Sequence, residues 1–375
     1  MKKIKNIGIV TRPVPKAGIA PLLNLTIILS SIMDHVFLIT SGEGKKINYG
    51  EINNLNIIEL NYKLDKNVIF KFIQYLYMAL ETTVHIFLLR KKVDTWIFFL
   101  ESHVLIFPLL MAKITSKSAI ILLGGSLKEV SKTKKDPLIH FSAFIENIGY
   151  RLADNLIVYS KNFIKEWELE KYGEKVIIAH RHFLNFNKFK IIKKYNKRKN
   201  LIGHIGRLTE VKGTMEFLHA INLLMEMYDD VEFLICGEGN LKDEVMLYLE
   251  KNNLKDKVKY NPWISHDDLP YYLNELKLLV LPSYTEGLPN IMLESMACGT
   301  PVLATPVGAI PDVIFDEETG FIMENNSPEC IAKNIMRSIE SPKLEKISNN
   351  ASYLTKTKFE RDNLISKWFN LFKEL

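Results

Sequence analysis

Cysteine is scarce in this chain of 375 residues: Cys236, Cys298 and Cys330 are all there is, and no two stand at a C-x-x-C spacing. An odd count without that spacing excludes a disulfide framework and a thiolate zinc site, and suits a reducing compartment. Long apolar runs are also missing. The nearest approach, Trp96 to Ala112, is interrupted by Glu101 and His103 and contains Pro108, so it falls short of the roughly 18 apolar residues of a spanning helix. The basic start M-K-K-I-K leads only into Ile7 to Val10 before Arg12-Pro13, too short for the core of a signal peptide. No D-x-D occurs, since Asp229-Asp230 and Asp267-Asp268 are adjacent pairs. A diphosphate held by a metal on such a motif is therefore not supported, and no metal ligands are assigned.

What is present begins with size. A chain of 375 residues with 47% hydrophobic and 25% charged content reads as two soluble domains. The net charge of +6 hides an asymmetry: residues 1–200 hold 32 Lys+Arg against 16 Asp+Glu, and residues 201–375 hold the remaining 17 against 27. A basic half joined to an acidic half directs any polyanion or anionic membrane to the first half, unless the lysines serve only solvation.

In the first half, short apolar runs alternate with helical stretches, the pattern of βαβ units. Residues 4–11 read as a strand, R-P-V-P-K-A-G-I as a loop with the single glycine Gly18, residues 20–33 as a helix and 35–40 as a strand. The aromatic stretch from Asn67 to Lys92 is apolar at helical spacing with a basic end. It reads either as a helix on a membrane surface or, as expected here, as a helix buried against the core. Strands at 94–99 and 119–123 follow, the second ending at Gly124-Gly125-Ser126, a strand tip of the kind at which open α/β sheets bind ligands. The next segment carries Lys128, Lys132, Lys134 and Lys135 and reads as a polar loop. Strands at 155–159 and 175–179 precede the run His180-Arg181-His182, which the pattern leaves without a role. Lys188 to Asn200 is polar and basic and reads as a linker.

The second half holds the chemistry-bearing motifs. A strand at 201–205 runs into G-R-L-T-E-V-K-G. Gly206 lets a phosphate approach the backbone, and Arg207 and Lys212 place a planar fork and a point charge at one loop, suited to a diphosphate. Gly237 follows the strand 231–236, and Trp263 follows the strand 258–261, where it either stacks on a base or packs in the core. The central stretch is Pro282 to Pro301, P-S-Y-T-E-G-L-P-N-I-M-L-E-S-M-A-C-G-T-P, after a strand at 276–281. Pro289 suits a first helical turn, Asn290 to Cys298 continue it, Gly299 fits the place just past its end and Pro301 blocks continuation. The helix start, around Gly287, Leu288, Pro289 and Asn290, offers free N–H groups to a phosphate. Glu286 and Glu294, with seven residues between them, read either as acceptors for sugar or ribose hydroxyls or as solvated acids favoured by the helix dipole.

Glu-x7-Glu set in E-G-L-P-N-I-M-L-E, followed by A-C-G-T-P-V, resembles the retaining nucleotide-sugar glycosyltransferases of family 4, and Gly-Arg-x4-Lys-Gly resembles their diphosphate loop. The resemblance implies an α/β GT-B fold, two Rossmann-like α/β/α domains facing across a cleft. Residues 1–190 would bind the acceptor, with a C-terminal helix at about 359–375 packing back on them, and residues 191–358 would bind the donor. It implies transfer of a sugar from a nucleotide-diphosphate-sugar to a saccharide or lipid-linked acceptor in cell-envelope polysaccharide or glycolipid synthesis, with retention, without metal and without a cofactor. Glu286, Arg207 and Lys212 take the catalytic roles. Gly206, Gly237, Trp263, Gly287, Leu288, Pro289, Asn290, Glu294 and Gly18 line the donor. The expected location is the cytoplasm, at the inner face of the cell membrane, with residues 1–200 toward anionic lipid and no nucleic acid as partner. Two departures stand out: relatives often carry a histidine where Gly124 and Gly125 stand, and a Pro-Asn-Gly-Val-Asp run where Ala179-His180-Arg181-His182-Phe183 stands. They keep open a nucleotide-sugar-binding subunit without turnover, and a GT-B nucleotide-sugar epimerase is a further alternative.

Overall fold

The structure, a computed structural model, describes residues 4–50, 52–61, 68–124, 137–225 and 230–375. Gly125, Ser126 and the lysines at 128, 132, 134 and 135 lie outside the described residues. The chain divides into two units, Met1–His182 with Asp362–Leu375, and Phe183–Arg361.

The first unit is built on strands β1 (Asn6–Val14), β2 (His35–Gly42), β3 (Leu55–Glu59), β4 (Thr95–Phe99), β5 (Ser118–Leu122), β6 (Asn155–Val158) and β7 (Val176–Ile178). Its helices are α1 (Ile19–Ser30), α2 (Val68–Leu88), α3 (Ile106–Ile114), α4 (Pro137–Leu152) and α5 (Lys161–Glu166). The sheet is parallel, in the order β3-β2-β1-β4-β5-β6-β7. Its central strands are apolar without alternation because both faces are covered: Trp96 to Phe99 and Ile120 to Leu122 are buried throughout. From the C-terminal helix, Arg361–Glu374, the buried Trp368 donates its indole N–H to the His180 carbonyl at 2.8 Å.

Two expectations change. Arg12-Pro13-Val14 is strand rather than loop: the register with β2 shifts between Val10 and Pro13 and resumes with Pro13 opposite Ser41. Pairing with β4 has already ended at Thr11, so the ladder loses nothing at a proline without an N–H. Helix α2 is buried along one face, as expected, and also carries an exposed apolar face that this expectation did not include. Met78, Ala79, Thr82 and Ile86 are buried, while Ile73, Tyr77, Leu80, Val84, Phe87 and Leu88 form an exposed apolar stripe.

The second unit holds β8 (Leu201–Ile205), β9 (Glu232–Cys236), β10 (Val258–Asn261), β11 (Leu278–Leu281), β12 (Val302–Ala304) and β13 (Phe321–Ile322). Around them lie α6 (Thr214–Met225), α7 (Lys242–Lys251), α8 (Leu269–Glu275), α9 (Asn290–Ala297), α10 (Pro328–Ile339) and α11 (Leu344–Lys358). Strand order is β10-β9-β8-β11-β12-β13, parallel, with Phe217, Phe233, Val280 and Phe321 in the core. Each sheet reverses its order of addition once, between β1 and β4 and between β8 and β11, and the crevice at such a switch point is where doubly wound sheets take ligands.

The segment 188–200 is not a free linker. Phe189 and Tyr195 are buried, the Ile192 and Lys193 amides donate to Asn274 Oδ1, and the Tyr195 hydroxyl donates to the Lys277 carbonyl. Arg198, also buried, donates to six oxygens: the carbonyls of Lys193, Leu273, Leu276 and Cys298, Thr300 Oγ1 and Asn274 Oδ1. A polar composition concealed these three anchors, which fix the segment to α8 and to the end of α9.

The switch point of the second sheet is pinned by His204 on β8. Its Nδ1 donates to the Val280 carbonyl of β11 at 3.1 Å and its Nε2 lies 3.3 Å from Thr214 Oγ1. Burial pushes this imidazole down from an ordinary 6.5 to about 4. Between those values the unfolded chain binds the proton and the folded chain refuses it. The stabilisation is thus complete above pH 6.5 and is lost as pH falls toward 4, by about 3 kcal/mol. Denaturant unfolding across that window should show a shallower pH slope for His204→Asn than for the wild type. Equal slopes would contradict it.

Candidate active site

The loops at the C-terminal ends of the second sheet meet backbone to backbone. Gly206, directly after β8, donates its N–H to the Cys236 carbonyl at 2.9 Å. Gly237, after β9, has φ +139°, and a Cβ there would lie 1.8 Å from the Gly206 carbonyl oxygen. Gly308, after β12, has φ +61°, and its Cβ would lie 2.1 Å from the Glu286 carbonyl oxygen. Only glycine fits at either place. At Gly206 a Cβ would meet nothing within 4 Å, so protein packing does not require that glycine and the space beside it is free for a ligand.

These contacts put the expected residues together. The Tyr284 amide donates to the Val211 carbonyl, tying the loop after β8 to the loop after β11. Lys212 Nζ then lies 2.5 Å from Glu286 Oε1, with side chains 21% and 8% exposed. The same oxygen accepts from Ser283 Oγ at 2.7 Å, and the Ser283 carbonyl accepts from Thr305 Oγ1. Arg207 is exposed on the same loop, with no ion pair or hydrogen bond among the described residues. One cation is held by the carboxylate and one is free.

Helix α9 begins at Asn290, one place later than expected, with Pro289 as its N-cap at φ −67° and without a side-chain cap. Among the described residues no side chain accepts from its first amides. Gly287 accepts from the Ala309 amide, Leu288 and Pro289 are buried, and Asn290 is exposed. The helix ends as expected, with Cys298 as C-cap and Gly299 at φ +68°.

Glu294 is buried, and its Oε1 lies 2.9 Å from His266 Nε2. His266 Nδ1 lies 3.0 Å from Lys188 Nζ, and Lys188 is also paired with Asp267 at 2.6 Å. An ammonium can only donate, so Nδ1 accepts and Nε2–H donates to the carboxylate. Sequence reasoning missed Lys188, His266 and Ser283. S-H-D-D was weighed only for a D-x-D pattern, and Lys188 lay in the supposed linker. Trp263 is 77% exposed, which removes its core reading. Gly18 lies in the first unit at the N-cap of α1, where a Cβ would come within 2.9 Å of Val14 Cγ1, so packing alone accounts for glycine there. Among the described residues no group of three or more His, Cys, Asp or Glu is placed to hold a metal ion.

Together these residues offer an exposed guanidinium, an ammonium, helix-start amides and two oriented carboxylates, a set matched to a phosphate that carries hydroxylated groups. The family model for glycosyl transferases group 1 matches residues 185–354, which lie within the second unit. Over 189 residues the chain is 29% identical to the capsular polysaccharide biosynthesis glycosyltransferase CapM of Staphylococcus aureus, covering 47% of this chain and 48% of that protein. It is 26% identical over 174 residues to the O-antigen chain mannosyltransferase B of Escherichia coli, covering 46% and 45%. The chain thus spans about half the length of the curated relatives it matches. Over its whole length the fold is similar to that of Anabaena Alr3699/HepE, solved in complex with UDP, with a TM-score of 0.77 at 16% identity, covering 99% of this chain and 100% of that one. The fold is GT-B, built of two Rossmann-like α/β/α units.

Proposed function

We propose that this chain is a glycosyltransferase that moves a sugar from a nucleotide-diphosphate-sugar to a saccharide or lipid-linked acceptor in cell-envelope polysaccharide synthesis. The second unit takes the donor and the first takes the acceptor. The observation that carries this reading is the convergence of Arg207, Lys212, Glu286, Glu294 and the uncapped start of α9 at one switch point. The matches to CapM and to the O-antigen mannosyltransferase support the same chemistry.

In this reading Arg207, Lys212 and the amides of α9 bind the diphosphate and stabilise the charge that builds on the leaving β-phosphate, without a metal. Lys212 is shared between that phosphate and Glu286. Glu286 accepts from sugar hydroxyls, and Glu294, aimed by His266, accepts from the ribose. Trp263 offers its exposed face to the base. The acceptor hydroxyl oxygen attacks the anomeric carbon while the bond from that carbon to the β-phosphate oxygen breaks. The hydroxyl proton passes to the departing phosphate on the same face, so configuration is retained.

We place the chain against an anionic membrane surface through the first unit. No helix among the described residues is long and apolar enough to cross a membrane. The exposed stripe of α2 instead continues onto Phe107 and Ile114 of α3 and Phe144 and Ile148 of α4, and α3 packs against both neighbours. Arg90, Lys91 and Lys92 follow the stripe, the guanidinium lying 4.0 Å from the Phe87 ring centre. An apolar face bordered by cations suits a surface of anionic lipid.

Arg207→Ala and Glu286→Gln should each lower kcat/KM for sugar transfer by about 10²- to 10³-fold, the usual effect of removing one transition-state donor or acceptor, while Arg207→Ala melts as the wild type does. Wild-type rates in both would end this assignment. Leu80→Glu with Val84→Glu should abolish co-sedimentation with phosphatidylglycerol vesicles. Binding unchanged by the substitutions, or equal on neutral vesicles, would remove the membrane claim.

A further inference from the structure

The run His180-Arg181-His182 follows β7, at the C-terminal edge of the first sheet, and the chemistry above makes no use of it. Arg181 is only 5% exposed. Its guanidinium lies 5.1 Å from the ring centre of Phe99, at the end of β4, and 5.1 Å from that of Tyr159, just after β6. No carboxylate pairs with it among the described residues, and its Nε has no hydrogen-bond partner. Two further polar atoms are buried beside it: the Tyr159 hydroxyl, which the Arg181 guanidinium approaches, and His182 Nδ1, which has no hydrogen-bond partner among the described residues. The His182 ring packs edge-on to Tyr159 at 5.2 Å. The Tyr159 hydroxyl faces Gly124 at the tip of β5, within 3.3 Å of where a Cβ would stand. Burial and the neighbouring Arg181 hold His182 well below the ordinary histidine range, so it is neutral.

A buried cation without a counter-charge is destabilising, and ring faces offset only part of that cost. Arg198 shows how this chain treats a purely structural arginine: all three of its nitrogens are directed at protein oxygens. Arg181 is treated differently. Rings at Phe99 and Tyr159 restrain the guanidinium and leave N–H capacity for a planar, two-point acceptor. We propose that Arg181 and Tyr159, with His182 beside them, form an oxyanion site in the first unit that binds a phosphate ester. If the transferase reading above holds, that ester is carried by the acceptor.

The test titrates inorganic phosphate into the full chain, following heat and melting temperature, with Arg207→Ala as a control for phosphate bound in the second unit. Phosphate should still bind Arg207→Ala, and Arg181→Met placed in that background should bind it at least tenfold more weakly. Tyr159→Phe, which removes only the hydroxyl, should weaken it by less. Without phosphate, Arg181→Met should melt at or above the wild type, because an uncompensated charge has gone. Glycerol phosphate or phosphatidic acid vesicles competing with phosphate would separate a soluble ester from a lipid headgroup, and competition by neither overturns the proposal. So does Arg181→Met melting well below the wild type, phosphate binding unchanged by it in the Arg207→Ala background, or binding lost in Arg207→Ala itself. UDP is titrated in parallel: its failure to bind would end the transferase reading and leave the phosphate result to stand alone.

Discussion

The candidate site of the second unit is arranged around one ion pair, Lys212 with Glu286, held where two loops from neighbouring strands touch. A pair with one side chain 8% and the other 21% exposed lies between surface pairs, worth about 0–1 kcal/mol, and buried ones whose desolvation cancels their attraction. Its importance is therefore positional. The carboxylate is oriented by Ser283 as well as by Lys212, and the loop bearing it rests on Gly308. The carboxylate is thus held in one orientation beside an ammonium.

Partners distinguish the cations of this chain better than their positions do. Arg198 is surrounded by carbonyl, hydroxyl and amide oxygens and anchors a segment. Lys212 is paired with a carboxylate. Arg207 is exposed and has no ion pair or hydrogen bond among the described residues. Lys188 acts through a histidine, setting the tautomer that directs His266 at Glu294. Arg181 is buried between rings, with no carboxylate paired to it among the described residues.

Much of the fold was legible because parallel strands covered on both faces read as short apolar runs, and glycines mark their ends. The boundaries of β8 and β10 coincide with the sequence reading. The failures have physical causes. Helix α11 was missed because Ser348, Ala351 and Thr355 on its buried side blur the apolar period. The segment 188–200 looked like a linker because its anchors are three residues among lysines. In the site, Arg207, Lys212, Glu286 and Glu294 were legible through their spacing within single loops. His266 and Lys188 were not, because the chain between them is long and only folding joins them.

Amide hydrogen exchange with and without saturating UDP tests the central claim most directly. The account predicts slowed exchange at residues 206–213 and 286–292, the loop after β8 and the start of α9. Exchange unchanged at both segments, with UDP shown to be bound, would place the nucleotide elsewhere and contradict the assignment of the switch point as the donor site.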